Sequence, residues 1–261
     1  MGAHSAQKAL DMLRKRAGFS GGLLKTIALL SMTLDHFAVI IIRNGKLYGY
    51  SPEYYQMAIA TPAGQRWLAL YRVFRLLGRL AFPIFAFLLV EGFIHTGDFW
   101  KYFRRVFLMA LLSELPYDLA FFNAIYHFER QNTGFTLACG LLMLYGMKRF
   151  RKKPLYKWLG VALSCAMAEL LRFDYGAVAI LSIALMYNFR KEKALQTFSG
   201  ALCSAVNSYE SFCLGAAAFL PIFLYNGERG RFHSRWLFYI YYPLHLIVMY
   251  LMIYAGSMIT S

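Results

Sequence analysis

Acidic side chains are scarce: 13 of the 261 residues are Asp or Glu, and charged residues of both signs make up only 16% of the chain. A soluble globule needs a larger share to cover its surface, so no soluble domain fits. Low complexity is confined to the short run KRFRKK, and no internal repeat is visible. Cysteine is rare too, and Cys139, Cys165, Cys203 and Cys213 each sit in an apolar segment without a CxxC or His-rich neighbour. That excludes a zinc site and predicts small core residues rather than disulfides.

What the chain has instead is apolar surface, 59% hydrophobic with mean hydropathy +0.44. These values place it among polytopic membrane proteins. The net charge of +15 does not point to nucleic acid, because the basic residues cluster between apolar runs, where retention of loops on the cytoplasmic side accounts for them. Arg14, Lys15 and Arg16 precede the first run as in a signal peptide, but that run is too long and offers no small-residue cleavage site. It is expected to stay as a first span.

Apolar runs separated by breakers predict an all-α, polytopic transmembrane bundle of about nine spans, near 23–43, 68–95, 102–122, 133–147, 155–171, 174–189, 194–208, 211–225 and 236–257. Residues 1–22 are the expected cytoplasmic segment and 23–261 the membrane domain. The second run begins amphipathically, with Arg72, Arg75 and Arg79 at helical spacing, and is expected to turn at Gly78 to Pro83. Alternating spans from an inner N-terminus put 19 of the 28 basic residues inside, so the N-terminus is predicted inside and the C-terminus outside.

Ionisable residues inside apolar runs need a reason, since a charge at mid-bilayer costs at least ~2.5 kcal/mol. Asp35 and His36 stand within LLKTIALLSMTLDHFAVIII, and Arg79, Glu91, Glu114, Asp118 and His245 are also embedded in apolar sequence. Glu114 and Asp118 are four apart on one helical face, around Pro116. Together these residues predict one buried polar site. A histidine flanked by an aspartate and faced by an arginine and a second histidine holds a general base in one tautomer and stabilises a developing oxyanion. Glu91, His95 and Asp174 are read as caps or structural ion pairs, and the tyrosine-rich WLFYIYYP as interface belt and core.

The strings LKTIALLSMTLDHF, GRLAFPIFAFLLVEGFIHT, KYFRRVFLMALLSELPYDLAF, FTLACGLL and WLFYIYYPLHLIVMYL, in this order, resemble the TraX family. The resemblance spans about Leu23 to Tyr250 and is weakest from Lys148 to Arg229. A member of that family is associated with N-terminal acetylation of conjugative pilin. TraX-like proteins are in turn similar to the acyltransferase-3 and heparan acetyltransferase types, in which a basic residue near the cytosolic end of the first helix precedes a functional histidine by about three turns. Lys25 and His36 fall on those positions, although Gly22 stands where an acid is usual and Lys25 where arginine is.

The resemblance implies an enzyme, a multi-pass acetyltransferase of the bacterial plasma membrane that uses acetyl-CoA as acyl donor. His36 would act as general base or acyl carrier, with Asp35, Arg79, His245, Glu114 and Asp118 around it. Lys25, Arg229 and Arg231 would meet the CoA phosphates, and the acceptor would be an exported peptide amine or an envelope glycan hydroxyl. Membrane lipids are the other expected partner. The alternatives from the residues themselves are a proton-coupled transporter, whose expected paired broken segments are not seen, and a non-enzymatic assembly protein.

Overall fold

The computed structural model describes residues 18–230 and 235–260, the latter without the side chains of 235–237 and 256–260. Among the described residues every regular element is helical, and only two isolated bridges, Phe19 with Tyr225 and Gln131 with Phe173, have β geometry. Most of the expected N-terminal segment and Arg231 lie outside the described residues.

The first helix, α1 (Gly21–Phe37), is capped by the Ser20 hydroxyl, which accepts from the Leu23 amide, and continues into a π-helical stretch, Ala38–Lys46. A short α2 (Pro52–Ile59) leads to α3 (Pro62–Gly78), which starts on a Thr61 cap and an N1 proline. After α4 (Ala81–His95), Asp98 caps α5 (Phe99–Phe122) and Asn132 caps α6 (Thr133–Arg149). Then follow α7 (Pro154–Leu170), α8 (Gly176–Asn188), α9 (Lys193–Asn207), α10 (Phe219–Phe223) and α11 (Arg235–Thr260).

Among the described residues three stretches are long and apolar enough to cross a bilayer, Gly21–Lys46, Pro62–His95 and Phe238–Ala255. The helices α6 to α9 have 13 to 17 residues, or about 20–26 Å at 1.5 Å per residue. That is short of the ~30 Å hydrocarbon core. The segment expected as a span at 211–225 is not one helix. It consists of two 3-10 turns, Tyr209–Ser211 and Leu214–Ala218, followed by the five residues of α10. Phe212 and Cys213 both hold positive φ, 54° and 57°, and no regular helix passes through two such residues.

The expected break in the second run is present, and the glycine at its edge has a steric role. A Cβ at position 78 would run into the Asp35 carboxylate, so only glycine allows α3 to lie this close to α1. The contact is stitched on both sides: Ser31 Oγ donates to the Leu77 carbonyl at 2.5 Å, and Arg75 donates to Asp35 Oδ2 at 2.6 Å. The chain turns through Arg79 and Leu80, and α4 restarts with Pro83 in its first turn, where no backbone donor is needed.

The main core is formed by α4, α6 and α8, with Ile84, Phe87, Leu141, Leu144, Ile180 and Ile183 buried to 1% exposure or less. Lipid is as apolar as leucine, so close packing rather than water exclusion holds such helices together. Gly134 serves that packing, since a side chain there would meet Ala110 of α5. Leu112, Leu155, Leu163 and Leu202 point outward, an apolar belt suited to lipid contact.

Loops gather at two ends. At one, the Phe19, Gly21 and Gly22 amides donate to the carbonyls of Leu224, Glu228 and Arg229. At the other, the Gln131 amide donates to Arg172 and the Asp174 amide to Gln131, while the Tyr50 hydroxyl donates to the Ala120 carbonyl.

Candidate functional site

Between these ends lies a cavity of about 570 Å³. Lys25, Leu29, Met32 and His36 line it from α1, and their spacing of four, three and four residues is one face of a helix. Arg229 joins Lys25 at the end where the first turn of α1 pairs with the 224–229 loop, and Arg105 of α5 adds a third cation to the wall. Thr133 and Asp174 line it near the opposite end, with Thr133 Oγ1 donating to Asp174 Oδ2 at 2.8 Å. Glu91 of α4, read from sequence as a structural residue, also lines the cavity at the Arg229 end, so among the described residues that end holds three cations against one carboxylate and a second carboxylate stands near the other.

His36 is 8% exposed and His245 of α11 6%. Their rings are nearly parallel, 7° apart, and His36 Nδ1 lies 2.6 Å from His245 Nε2. His245 Nδ1 lies in turn 2.8 Å from the Tyr241 carbonyl. A carbonyl only accepts, so His245 Nδ1 carries a hydrogen, and in a neutral ring its Nε2 then holds the lone pair. His36 Nδ1 must therefore donate to that lone pair, which leaves His36 Nε2 unprotonated. Phe121 packs edge-on against His36 at 5.3 Å, interplanar angle 89°, and fixes the ring plane. The chain of bonds from Tyr241 to His245 to His36 thus presents a basic nitrogen on a residue that lines the cavity.

The other expected members of this site are distributed differently. Asp35 points away from His36 toward Arg75, because neighbours on a helix diverge by about 100°. Arg79 donates from Nε to Ser211 Oγ at 3.0 Å and lies outside the cavity wall. Glu114 accepts from the side chain and backbone of Asn132, and Asp118 Oδ2 accepts from the His127 amide at 2.9 Å. These two acids secure the loop between α5 and α6 and do not surround His36. His245, expected to stabilise an oxyanion or place the acceptor, instead fixes the tautomer of His36.

Asp174, expected as a structural residue, does pair with Arg130 at 3.8 Å, yet it also lines the cavity. Arg105 and Tyr242 were hidden by their neighbourhoods, one within a basic run assigned to topology and the other within a tyrosine-rich segment assigned to the interface belt. Tyr242 stands three residues before His245 on the same helical face, a spacing that would have drawn it into the site. Among the described residues no group of three or more His, Cys, Asp or Glu side chains is arranged to hold a metal.

No solved structure matches the chain. The chain is 27% identical over 266 residues to a protein of Dichelobacter nodosus named "Probable fimbrial assembly protein FimC, serogroup H1", covering 91% of this chain and 97% of that one. The family model described as TraX protein matches residues 20–253, a range that includes His36, His245 and every described wall of the cavity, and the chain therefore belongs to the TraX family.

Proposed function

We propose that this protein is a membrane acyltransferase that moves an acetyl group from acetyl-CoA to an amine or hydroxyl acceptor. The observation that carries the reading is the unprotonated Nε2 of His36, held by His245 in a cavity whose far end is net cationic, with Lys25, Arg105 and Arg229 against Glu91. A thioester donor with several phosphates fits that polarity: Lys25, Arg105 and Arg229 would hold the anionic nucleotide, and the pantetheine arm would follow the α1 face toward His36. Lys25 and His36 are eleven residues apart, about 16 Å along the helix.

In the reaction, the acceptor lone pair attacks the thioester carbonyl carbon while its proton passes to His36 Nε2. The tetrahedral adduct then collapses, the carbon–sulfur bond breaks, and His36 returns the proton to the leaving thiolate. The acceptor would approach from the Asp174 end. The name of the Dichelobacter nodosus relative supports an exported pilus protein as the source of that acceptor, with an envelope glycan as the other class. The same name supports a second reading, an assembly protein without catalysis.

Acetyl transfer separates them. The purified chain in lipid nanodiscs, given radiolabelled acetyl-CoA and a membrane extract of its source, should label a peptide or glycan. His36→Ala should reduce the rate by ~10²- to 10⁴-fold, the usual contribution of a general base, with unchanged thermal stability. Equal labelling by the variant would remove His36 from the chemistry, and absence of labelling by the wild type favours the assembly reading.

A further inference from the structure

Tyr242 is 7% exposed and lines the cavity beside His36, with ring centroids 6.1 Å apart. Among the described residues no group makes a hydrogen bond of good geometry with its hydroxyl, and the Thr133 side chain is its nearest polar neighbour. Leaving such a group unpaired costs ~1–3 kcal/mol, whereas a phenylalanine would fill the same space among Met32 and Ala81 without that penalty. The adjacent Tyr241 shows the contrast, since its hydroxyl is bound to Thr33 Oγ1 at 2.6 Å. The Thr133 hydroxyl proton is committed to Asp174, and Arg79 is turned to Ser211. Tyr242 thus brings a neutral hydroxyl to the stretch of wall shared with His36, on its Thr133 side.

We propose that Tyr242 donates its O–H to the carbonyl oxygen of the bound thioester and holds the oxyanion that forms when the acceptor attacks. This assignment rests on the acyl-transfer reading. As the carbon–acceptor bond forms, the carbonyl π pair moves onto oxygen and the acceptor proton moves to His36. Tyr242 keeps its own proton throughout, and its hydrogen bond shortens as charge grows on the oxygen. On collapse the pair returns to the carbonyl and the thiolate departs with the proton held by His36. A preorganised donor in a site shielded from water is worth more in the adduct than in the ground state, and it acts equally for an amine or a hydroxyl acceptor.

The test needs no acceptor. Infrared difference spectra of the full chain in nanodiscs with [1-13C]acetyl-CoA report the hydrogen bond to the carbonyl as a shift of its stretch to lower frequency. The wild type should show that shift, and Tyr242→Phe should lose it while still binding the donor. Incorporation of 3-fluorotyrosine at position 242, a stronger donor of similar size, should increase it, so a poorly folding phenylalanine variant does not decide the matter. Where labelled product is followed, Tyr242→Phe should lower kcat by ~10²- to 10³-fold and change the donor KM less than twofold. A wild-type carbonyl frequency unchanged by either substitution overturns the role of Tyr242. Failure of the wild type to bind acetyl-CoA overturns the acyl-transfer reading itself.

Discussion

His36 and His245 are separated by 209 positions and meet at 2.6 Å, and the chemistry of the pair depends on which nitrogen carries the hydrogen. His245→Ala removes the acceptor for His36 Nδ1–H and with it the preference for one tautomer, while Phe121 still holds the ring plane. Loss of an orienting partner in a comparable array costs up to about 10⁴-fold, so kcat should fall at least ~10²-fold while the KM for acetyl-CoA changes little. A parallel rise in KM would show that His245 shapes the donor site instead. Arg105 gives the complementary result. Among the described residues its Nε is buried without a hydrogen-bond partner, and its guanidinium lies 6.0 Å and 5.9 Å from the rings of Tyr102 and Tyr239. A charge-assisted bond to a phosphate contributes ~1.5–3 kcal/mol, so Arg105→Gln should raise the KM for acetyl-CoA roughly 10- to 100-fold. With S-acetylpantetheine, which has no phosphate, the substitution should have no effect; equal losses with both donors would place Arg105 outside phosphate recognition. The cost of burying it made His36 legible in the sequence, and the resemblance to the acyltransferase-3 type pointed to Lys25. The sequence could not show that His245 serves His36 or that Asp35 does not, because those facts depend on the rotation of one helix against another.

At the scale of the element, the close approach of α1 to α3 is the feature most sensitive to a single methyl group. Gly78→Ala places a Cβ against the Asp35 carboxylate, and relief requires either separation of the two helices or loss of the Arg75–Asp35 pair. Overpacking of this kind costs ~1–3 kcal/mol, and thermal unfolding in detergent should show a lowered midpoint. An unchanged midpoint would mean that the contact is loose. A break near Gly78 was legible because the amphipathic run meets Pro83, but the need for glycine there was not, since Asp35 is 43 positions away in sequence. Glu114 and Asp118 show the opposite limit. Their spacing identified one helical face correctly, yet the α5–α6 loop claims both acids through Asn132 and His127, and periodicity cannot say what a face will meet. The 211–225 segment was misread for a related reason: hydropathy registers apolar composition, while positive φ at Phe212 and Cys213 breaks the helix without changing that composition.

For the whole molecule, the grouping of loops and the distribution of charge must give one orientation. The contacts of Gly21 and Gly22 with Glu228 and Arg229 bring two basic regions to the same end, and those of Gln131 with Arg172 and Asp174 assemble the other. Lys148 at the end of α6 lies 5.7 Å from the Phe93 ring near the end of α4, and Lys157 donates to Asn188 Oδ1 at 2.5 Å, so the Lys148–Lys157 run belongs with the end where α4 and α8 finish. Cytoplasmic loops retain Lys and Arg, so a reporter fused after Lys153 should report the cytoplasm and one fused after Arg130 the outer compartment. This orientation turns the Lys25, Arg105 and Arg229 end of the cavity toward the cytosol, where an acyl-CoA donor would be supplied, and leaves the Asp174 end for an exported acceptor. Sealed right-side-out vesicles should therefore transfer acetyl only when acetyl-CoA is loaded inside, and inverted vesicles only when it is added outside. If a fusion after Lys153 reports the outer compartment, the cations face away from the cytosolic donor, and the proposed direction of transfer fails even if His36 remains essential.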